Sequence, residues 1–260
     1  MAKIQFGPGG TAGLGYEKGI PEIKRLGLDA LEAEFTYGVR MSNEKAEEIG
    51  KLAKKYDISL SVHAPYYVNL ASSEKEKIEA SKKRIIDSCE KAYFLGAQFV
   101  VFHPAFYGKK TREEVYQEVK SAINEIQGII KANKWNVTLA PETTGKVSQF
   151  GSLEELEKLS AETNCGICVD FAHVLARYGK RDYAKFIKLI KNIGQVTTHF
   201  SGINYGDKGE KNHVLTPEKD TIELLQNLIK HDLSLRIINE SPEPINDSVK
   251  TKEIYKKLIQ

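Results

Sequence analysis

The chain has 260 residues, a formal net charge of +3 and 41% hydrophobic residues. This length suffices for one large domain, and no apolar run reaches the roughly eighteen residues that a membrane-spanning helix needs. The start, MAKIQFGPGG, lacks the apolar stretch of a signal peptide, and three cysteines are too few for a disulfide framework. We therefore expect a cytoplasmic protein, and the small net charge does not by itself indicate a nucleic-acid partner.

Short apolar runs alternate with longer amphipathic segments along the chain. The apolar runs predict strands at Ile4–Gly7, Ala30–Glu34, Ser59–His63, Phe99–His103, Thr138–Glu142, Gly166–Asp170, Gln195–His199 and Arg236–Glu240. The amphipathic segments predict helices at Lys18–Leu26, Asn43–Tyr56, Ser73–Leu95, Arg112–Ala132, Leu153–Leu159, Tyr183–Ile193, Thr221–Leu228 and Val249–Leu258. The piece from Ser241 to Asp247 is interpreted as the last strand-to-helix loop.

Eight strands that are each followed by a helix predict an α/β fold of the (β/α)₈ TIM-barrel type, whose usual length is about 250 residues. We expect residues 1–260 to form a single barrel domain. The strands are almost continuously apolar, which is typical of a parallel sheet covered on both faces. An open doubly wound sheet is the alternative, but no glycine-rich dinucleotide fingerprint follows the first strand.

Histidines and acids stand at the ends of the predicted strands. A barrel brings the carboxyl ends of its strands to one mouth, where active sites lie. A single histidine at such a place is usually structural, but every predicted strand from the third to the eighth ends in His, Asp or Glu. These ends and the loops beyond them contain His63, His103, Glu142, Asp170, His173, His199, His213 and Glu240.

Carboxylates and imidazoles that share a dry pocket bear a large desolvation and like-charge penalty, which divalent cations remove. The sequence therefore predicts a metal site, with zinc favoured by the mixed ligands and manganese or iron as alternatives. In the stretch GICVDFAHVLARYG, we interpret Asp170 and His173 as metal ligands rather than a private salt bridge. The Cys165-x-x-Cys168 pair is interpreted as buried and structural, at the end of the barrel far from the mouth.

Five segments resemble motifs of the endonuclease IV family of apurinic/apyrimidinic endonucleases, which are xylose-isomerase-like barrels. They are SVHAPYYVNLAS (61–72), VFHPAFYG (101–108), PETTGKVSQFGSLEEL (141–156), CVDFAHVLARYG (168–179) and INESP (238–242). The resemblance extends over nearly the whole chain, with Ala105 where the family usually has Gly and Thr143 where it has Asn. It implies a shorter, divergent branch of that family.

The resemblance implies up to three zinc ions. The first would be held by His63, His103 and Glu142; the second by Glu142, Asp170, His199 and Glu240; and the third by His173 and His213. The family has an Asp two residues before the last histidine, where this chain has Lys211. Two or three ions are therefore expected, since the third needs Glu210 or Asp207 as a substitute, unless Lys211 supplies positive charge in its place.

The resemblance also implies a function. The chain would be a DNA repair endonuclease, a hydrolase that cuts double-stranded DNA on the 5′ side of abasic sites, with Glu142 as the catalytic carboxylate. Arg40 matches the arginine of a loop that enters the minor groove, Tyr66 matches an aromatic beside the flipped-out sugar, and Lys211 is a further DNA-binding candidate. A monomer is expected. Other cations predicted near the mouth are Lys109, Lys110, Lys146, Arg177, Lys180, Arg181 and Lys208.

Two other functions fit the same residues. A sugar isomerase or epimerase on this barrel would use Glu142, Asp170, His199 and Glu240 for one metal, and Glu34 and Lys211 favour it. His63, His103 and His213 favour the nuclease, because a one-metal isomerase has no need of them. The second alternative is a barrel that binds damaged DNA without cutting it.

Overall fold

Eight parallel strands form a closed barrel in the computed structural model, which describes residues 3–260. The strands are Gln5–Pro8, Ala30–Glu34, Ser59–His63, Phe99–Phe102, Thr138–Pro141, Ile167–Asp170, Val196–Phe200 and Arg236–Asn239. The second to fifth strands pair in chain order, and the sixth, seventh, eighth and first strands pair as a second sheet. Parallel bridges Gly9–Glu32 and Glu142–Cys168 join the two sheets at both seams. The predicted (β/α)₈ fold is confirmed.

Nine helices accompany the strands within the described residues. They are α1 Tyr16–Arg25, α2 Asn43–Lys55, α3 Lys75–Leu95, α4 Arg112–Ala132, α5 Leu153–Thr163, α6 Phe171–Tyr178, α7 Tyr183–Ile193, α8 Glu218–Lys230 and α9 Pro244–Leu258. Capping boxes begin α4 at Thr111 and α5 at Ser152, where the side chain and the glutamate three residues later satisfy free backbone N–H groups. Among residues 3–260, no helix is long and apolar enough to cross a membrane.

Several elements differ from the sequence predictions, and three of them follow the sixth, seventh and eighth strands. Helix α6 begins directly after the sixth strand, so His173 lies in a helical turn and not in a loop. Helix α9 begins at Pro244, inside the segment predicted as a loop, because proline is well suited to the first turn of a helix. An antiparallel hairpin, Gly202–Gly206 with Gly209–Val214, follows the seventh strand; we call it the 202–214 hairpin.

The core consists of buried side chains of the strands and of the inward faces of the helices. At the amino-terminal end of the barrel the guanidinium of Arg236, only 7% exposed, donates to the carbonyl of Leu60 at 3.1 Å and to the hydroxyl of Ser59. Burial lowers the pKa of Arg236 to about 10, although the negative charge of Glu32 acts to raise it. This end is thus filled by a structural cation, and the groups that can do chemistry lie at the other end.

Candidate metal centre

Glu142 lies at the centre of the barrel mouth. It follows the fifth strand directly and is fully buried. Its Oε2 is 3.2 Å from Nε2 of His63 and 3.1 Å from Nε2 of His103. Its Oε1 is 3.1 Å from Nδ1 of His173 and 3.4 Å from Nδ1 of His199. One carboxylate thus contacts imidazoles from four different parts of the barrel.

Hydrogen bonds fix the orientation of three histidine rings. Nδ1 of His63 donates to the carbonyl of Ala64 at 2.7 Å, and Nδ1 of His173 donates to the carbonyl of Thr143 at 2.9 Å. Nδ1 of His213 is 2.5 Å from the hydroxyl of Ser201. In each ring these contacts engage Nδ1 and leave Nε2 able to bind a metal ion, which is the usual arrangement of a metal-binding histidine.

The second set of groups surrounds His199 on the seventh strand. Its Nδ1 lies 3.2 Å from Oε1 of Glu240, and its Nε2 lies 2.8 Å from Oε1 of Glu32. Asp170 caps helix α6: its Oδ1 accepts from the backbone N–H groups of Ala172 and His173. Its Oδ2 has no hydrogen-bond partner among the described residues and is available to a ligand.

The charges at the mouth shift one another's pKa values. Burial alone would lower the pKa of His63, but the hydrogen bond to Glu142 and the charges of Glu34 and Glu32 raise it to about 10. Burial alone would raise the pKa of Glu142, but His103 and His199 hold it well below its usual value. The buried carboxylates therefore favour positive charge at the mouth.

The donor set fits divalent cations. The predicted ligands form three groups, and within each group the ligand atoms lie within 4.8 Å of one another. The groups are His63–His103–Glu142, Glu142–Asp170–His199–Glu240 and Asp170–His173–His213. Oδ2 of Asp170 is a buried atom without a hydrogen-bond partner among the described residues. Such atoms are rare in folded proteins, and this one is suited to bind a cation. The structure thus brings together all eight residues predicted as metal ligands.

Glu32 was not predicted as a site residue. It is fully buried in the second strand, and its Oε1 lies 2.8 Å from Nε2 of His199. With Glu34 and Glu240 it forms a further acidic group whose oxygens lie within 4.8 Å of one another. An acid inside an apolar strand, two residues before Glu34 and hence on the same face, was the available signal.

The interpretation of Cys168 is corrected in part. The thiol is buried and free, as expected, but its Sγ lies within 4.8 Å of ligand atoms of Glu142 and His199. It faces the barrel interior because it precedes Asp170 by two residues on the same strand. The thiol therefore lies beside the candidate centre and not at the far end of the barrel. Burial raises its pKa well above the usual value.

The candidate DNA contacts surround the mouth. Arg40 is exposed in the loop between the second strand and α2, and Tyr66 is 53% exposed, with its ring centroid 5.6 Å from that of His63. Lys211 is exposed on the 202–214 hairpin. Among the other predicted cations, Arg177 donates to several backbone carbonyls and Arg181 pairs with Asp220 at 3.0 Å. These two arginines brace loops, which leaves them less available to phosphates.

Comparison with known proteins identifies the family. Residues 20–258 match the sequence profile described as "Xylose isomerase-like TIM barrel". The chain belongs to the xylose isomerase-like TIM barrel family. An uncharacterized protein of Methanocaldococcus jannaschii is 36% identical to it, over 96% of this chain and 97% of that protein. An apurinic-apyrimidinic endonuclease of Caenorhabditis elegans is 29% identical over 78% of this chain, which spans only 56% of that relative's length.

Two solved structures share this fold but are named for different functions. A D-tagatose 3-epimerase-like protein superposes with a TM-score of 0.78 and 23% identity, over 98% of this chain and 97% of its own. Endonuclease IV from Thermus thermophilus superposes with a TM-score of 0.74 and 20% identity, over 99% and 98%. Because one fold accommodates both, function has to be inferred from the residues at the mouth.

Proposed function

We propose that this chain is a metal-dependent phosphodiesterase that hydrolyses the DNA backbone on the 5′ side of abasic sites. The proposal rests on Glu142, whose Oε2 faces His63 and His103 while its Oε1 faces His173 and His199. Glu142 belongs to two of the groups of predicted ligands, which would hold more than one divalent cation and so supply the chemistry of two-metal sites for phosphoryl transfer. A single-metal isomerase would leave His63 and His103 without a ligand role.

The residues of the chain have distinct roles in this reaction. Bound divalent cations would neutralise the phosphate oxygens and make water more acidic. Glu142 holds the two ligand groups together and orients the attacking water. The water oxygen bonds to phosphorus, the bond from phosphorus to the 3′ oxygen breaks, and the proton released by the water ends on that 3′ oxygen.

Selectivity for abasic sites would come from the rim of the mouth. An abasic nucleotide leaves the duplex at lower cost than a normal one, because no base has to be unstacked. Tyr66 presents a half-exposed ring beside His63 and can cover the sugar that enters. Arg40, exposed on the loop between the second strand and α2, would contact the neighbouring backbone or groove.

Incision of a labelled duplex with one synthetic abasic site tests this proposal. The purified protein, loaded with zinc or manganese, is compared with Glu142→Gln and with a control, Glu223→Gln, whose side chain is exposed on α8. We expect the wild type and the control to cut 5′ to the site and Glu142→Gln to lose at least about 100-fold in rate. No cut by folded, metal-loaded wild-type protein would refute the nuclease function.

The half-buried side chain of Glu34 supports a sugar epimerase as the second candidate. Its Oε1 has no hydrogen-bond partner among the described residues and lies near the acids Glu32 and Glu240. Paired acids at a mouth are suited to moving a proton at a carbon next to a carbonyl. Exchange of a ketose C–H proton in D₂O, followed by NMR, would favour this function if incision fails.

A further inference from the structure

The two strands of the 202–214 hairpin are not in simple register. Ile203 pairs with His213 and Asn204 with Asn212, but Tyr205 pairs with Glu210. Lys211 is therefore the extra residue of a β-bulge. In a regular strand the side chain two residues before His213 would share its face, but the bulge gives that place to Glu210.

The side chains follow this backbone change. Oε2 of Glu210 lies 3.4 Å from Nε2 of His173, and that nitrogen lies 3.2 Å from Nε2 of His213. Lys211 is exposed and runs along the opposite strand, where a Cβ added at Gly206 would be 3.4 Å from its Nζ. The ammonium group thus faces away from the two imidazoles.

The loop after the fifth strand is shaped to admit Glu210. Its backbone N–H donates to the carbonyl of Gly145 at 3.2 Å, and Gly209 forms an antiparallel bridge with Lys146. A Cβ on Gly145 would lie 2.6 Å from Cβ of Glu210 and 2.9 Å from its Oε2. Only glycine at this position leaves room for the carboxylate beside His173.

We propose that Glu210 is the carboxylate ligand of a third divalent cation, together with His173 and His213; this rests on the proposed metal-dependent function. Ligands about 2.0–2.1 Å from a tetrahedral zinc ion are about 3.3–3.4 Å apart. Nε2 of His173 lies at similar distances from its two neighbours, 3.2 Å from Nε2 of His213 and 3.4 Å from Oε2 of Glu210. Oδ2 of Asp170 is buried without a hydrogen-bond partner among residues 3–260, and Asp170 forms a group with His173 and His213 whose ligand atoms lie within 4.8 Å of one another, so it can complete the site.

Metal counting tests this assignment without reference to incision. Wild type, Glu210→Gln, Lys211→Gln and Asp207→Asn are loaded with zinc, dialysed against a weak chelator and analysed by mass spectrometry for zinc per chain. Circular dichroism checks that each variant is folded. We expect Glu210→Gln to bind one ion fewer than the wild type, or to hold its last ion at least about tenfold more weakly. The Lys211→Gln and Asp207→Asn variants should match the wild type.

Two results would overturn the assignment: a Glu210→Gln variant with the wild-type zinc content and affinity, or loss of an ion from Asp207→Asn instead. Cobalt(II) substitution gives a second readout, because loss of the carboxylate should change the visible absorption of one bound ion. If the wild type binds a third ion through Glu210 but cuts no DNA, the ligand assignment stands and the nuclease proposal fails.

Discussion

Gly145→Ala should disrupt the proposed third cation site while the rest of the barrel stays folded. The new Cβ would lie 2.6 Å from Cβ of Glu210 and 3.1 Å from Cδ2 of His173. Carbon atoms in contact are normally about 3.5–4.0 Å apart, so the hairpin has to move outward by about 1 Å or more. Gly145 is not among the glycines with positive φ, so the penalty is steric and not conformational.

The magnitude follows from this overlap. Overpacking of a close contact costs about 1–3 kcal/mol. For a chain of 260 residues, 1 kcal/mol lowers Tm by about 2 °C, which gives an expected loss of about 2–6 °C. Calorimetry of the zinc-loaded protein measures this loss. Metal analysis should show one ion fewer, since an outward shift of the hairpin withdraws Glu210 and His213 from His173.

Gly128→Ala is the matched control. Gly128 lies in α4 and is exposed, and a Cβ added there would have no atom within 4 Å. The same substitution there should raise stability by about 0.5–1 kcal/mol, because alanine is the better helix former. Our reasoning is refuted if Gly145→Ala keeps the wild-type Tm and zinc content.

Three other predictions concern the rest of the mouth. Glu32→Gln should weaken cation binding beside His199 by about 10–100-fold in a chelator competition, and an unchanged affinity would show that Glu32 does not orient the ring. Arg40→Ala should reduce the slope of log affinity against log salt by about 0.9 for abasic duplex DNA, measured by fluorescence anisotropy; an equal slope would exclude a phosphate contact. Burial raises the pKa of Glu34 from 4.5 to about 8, so between these pH values the folded state retains a proton that the unfolded state loses. The free energy of unfolding of the metal-free protein should therefore fall as pH rises through this window, by at most about 1.4 kcal/mol per pH unit. Glu34→Gln should flatten that fall in Tm between pH 5 and 8, and parallel curves would contradict the assignment.

The barrel was predictable because its strands are apolar and its long helices are amphipathic. Helix α6 escaped prediction because it is short and largely buried, so it shows no polar face for the helical period to reveal. Its caps were the available signal: Asp170 accepts from two backbone N–H groups at one end, and Gly179 adopts a left-handed conformation at the other. The 202–214 hairpin has Asp207–Lys208 at its turn, which is a weak hairpin signal.

The candidate site was predictable where it coincides with strand ends. Chain topology alone places residues such as His63 and Glu142 at one mouth, whatever the details of packing. Glu32 lies within a strand, and its role depends on the 2.8 Å approach to His199 across the barrel, which no local pattern encodes. Cys168 was predicted too far from the mouth. It precedes Asp170 by only two residues, or about 7 Å, and its side chain lies on the same face of the strand.

The register of paired strands cannot be read from residue spacing alone, and Lys211 illustrates this. Counting two residues back from His213 finds an ammonium group and suggests that a ligand has been lost. Pairing across the hairpin gives the opposite conclusion, because Tyr205 faces Glu210 and the extra residue is expelled toward solvent. The bulge moves the acid by one position in sequence and returns it to the same place in space. An acid at position 211 of a regular strand, or at position 210 of a bulged one, can therefore serve the same site. The bulged form also requires a glycine at position 145.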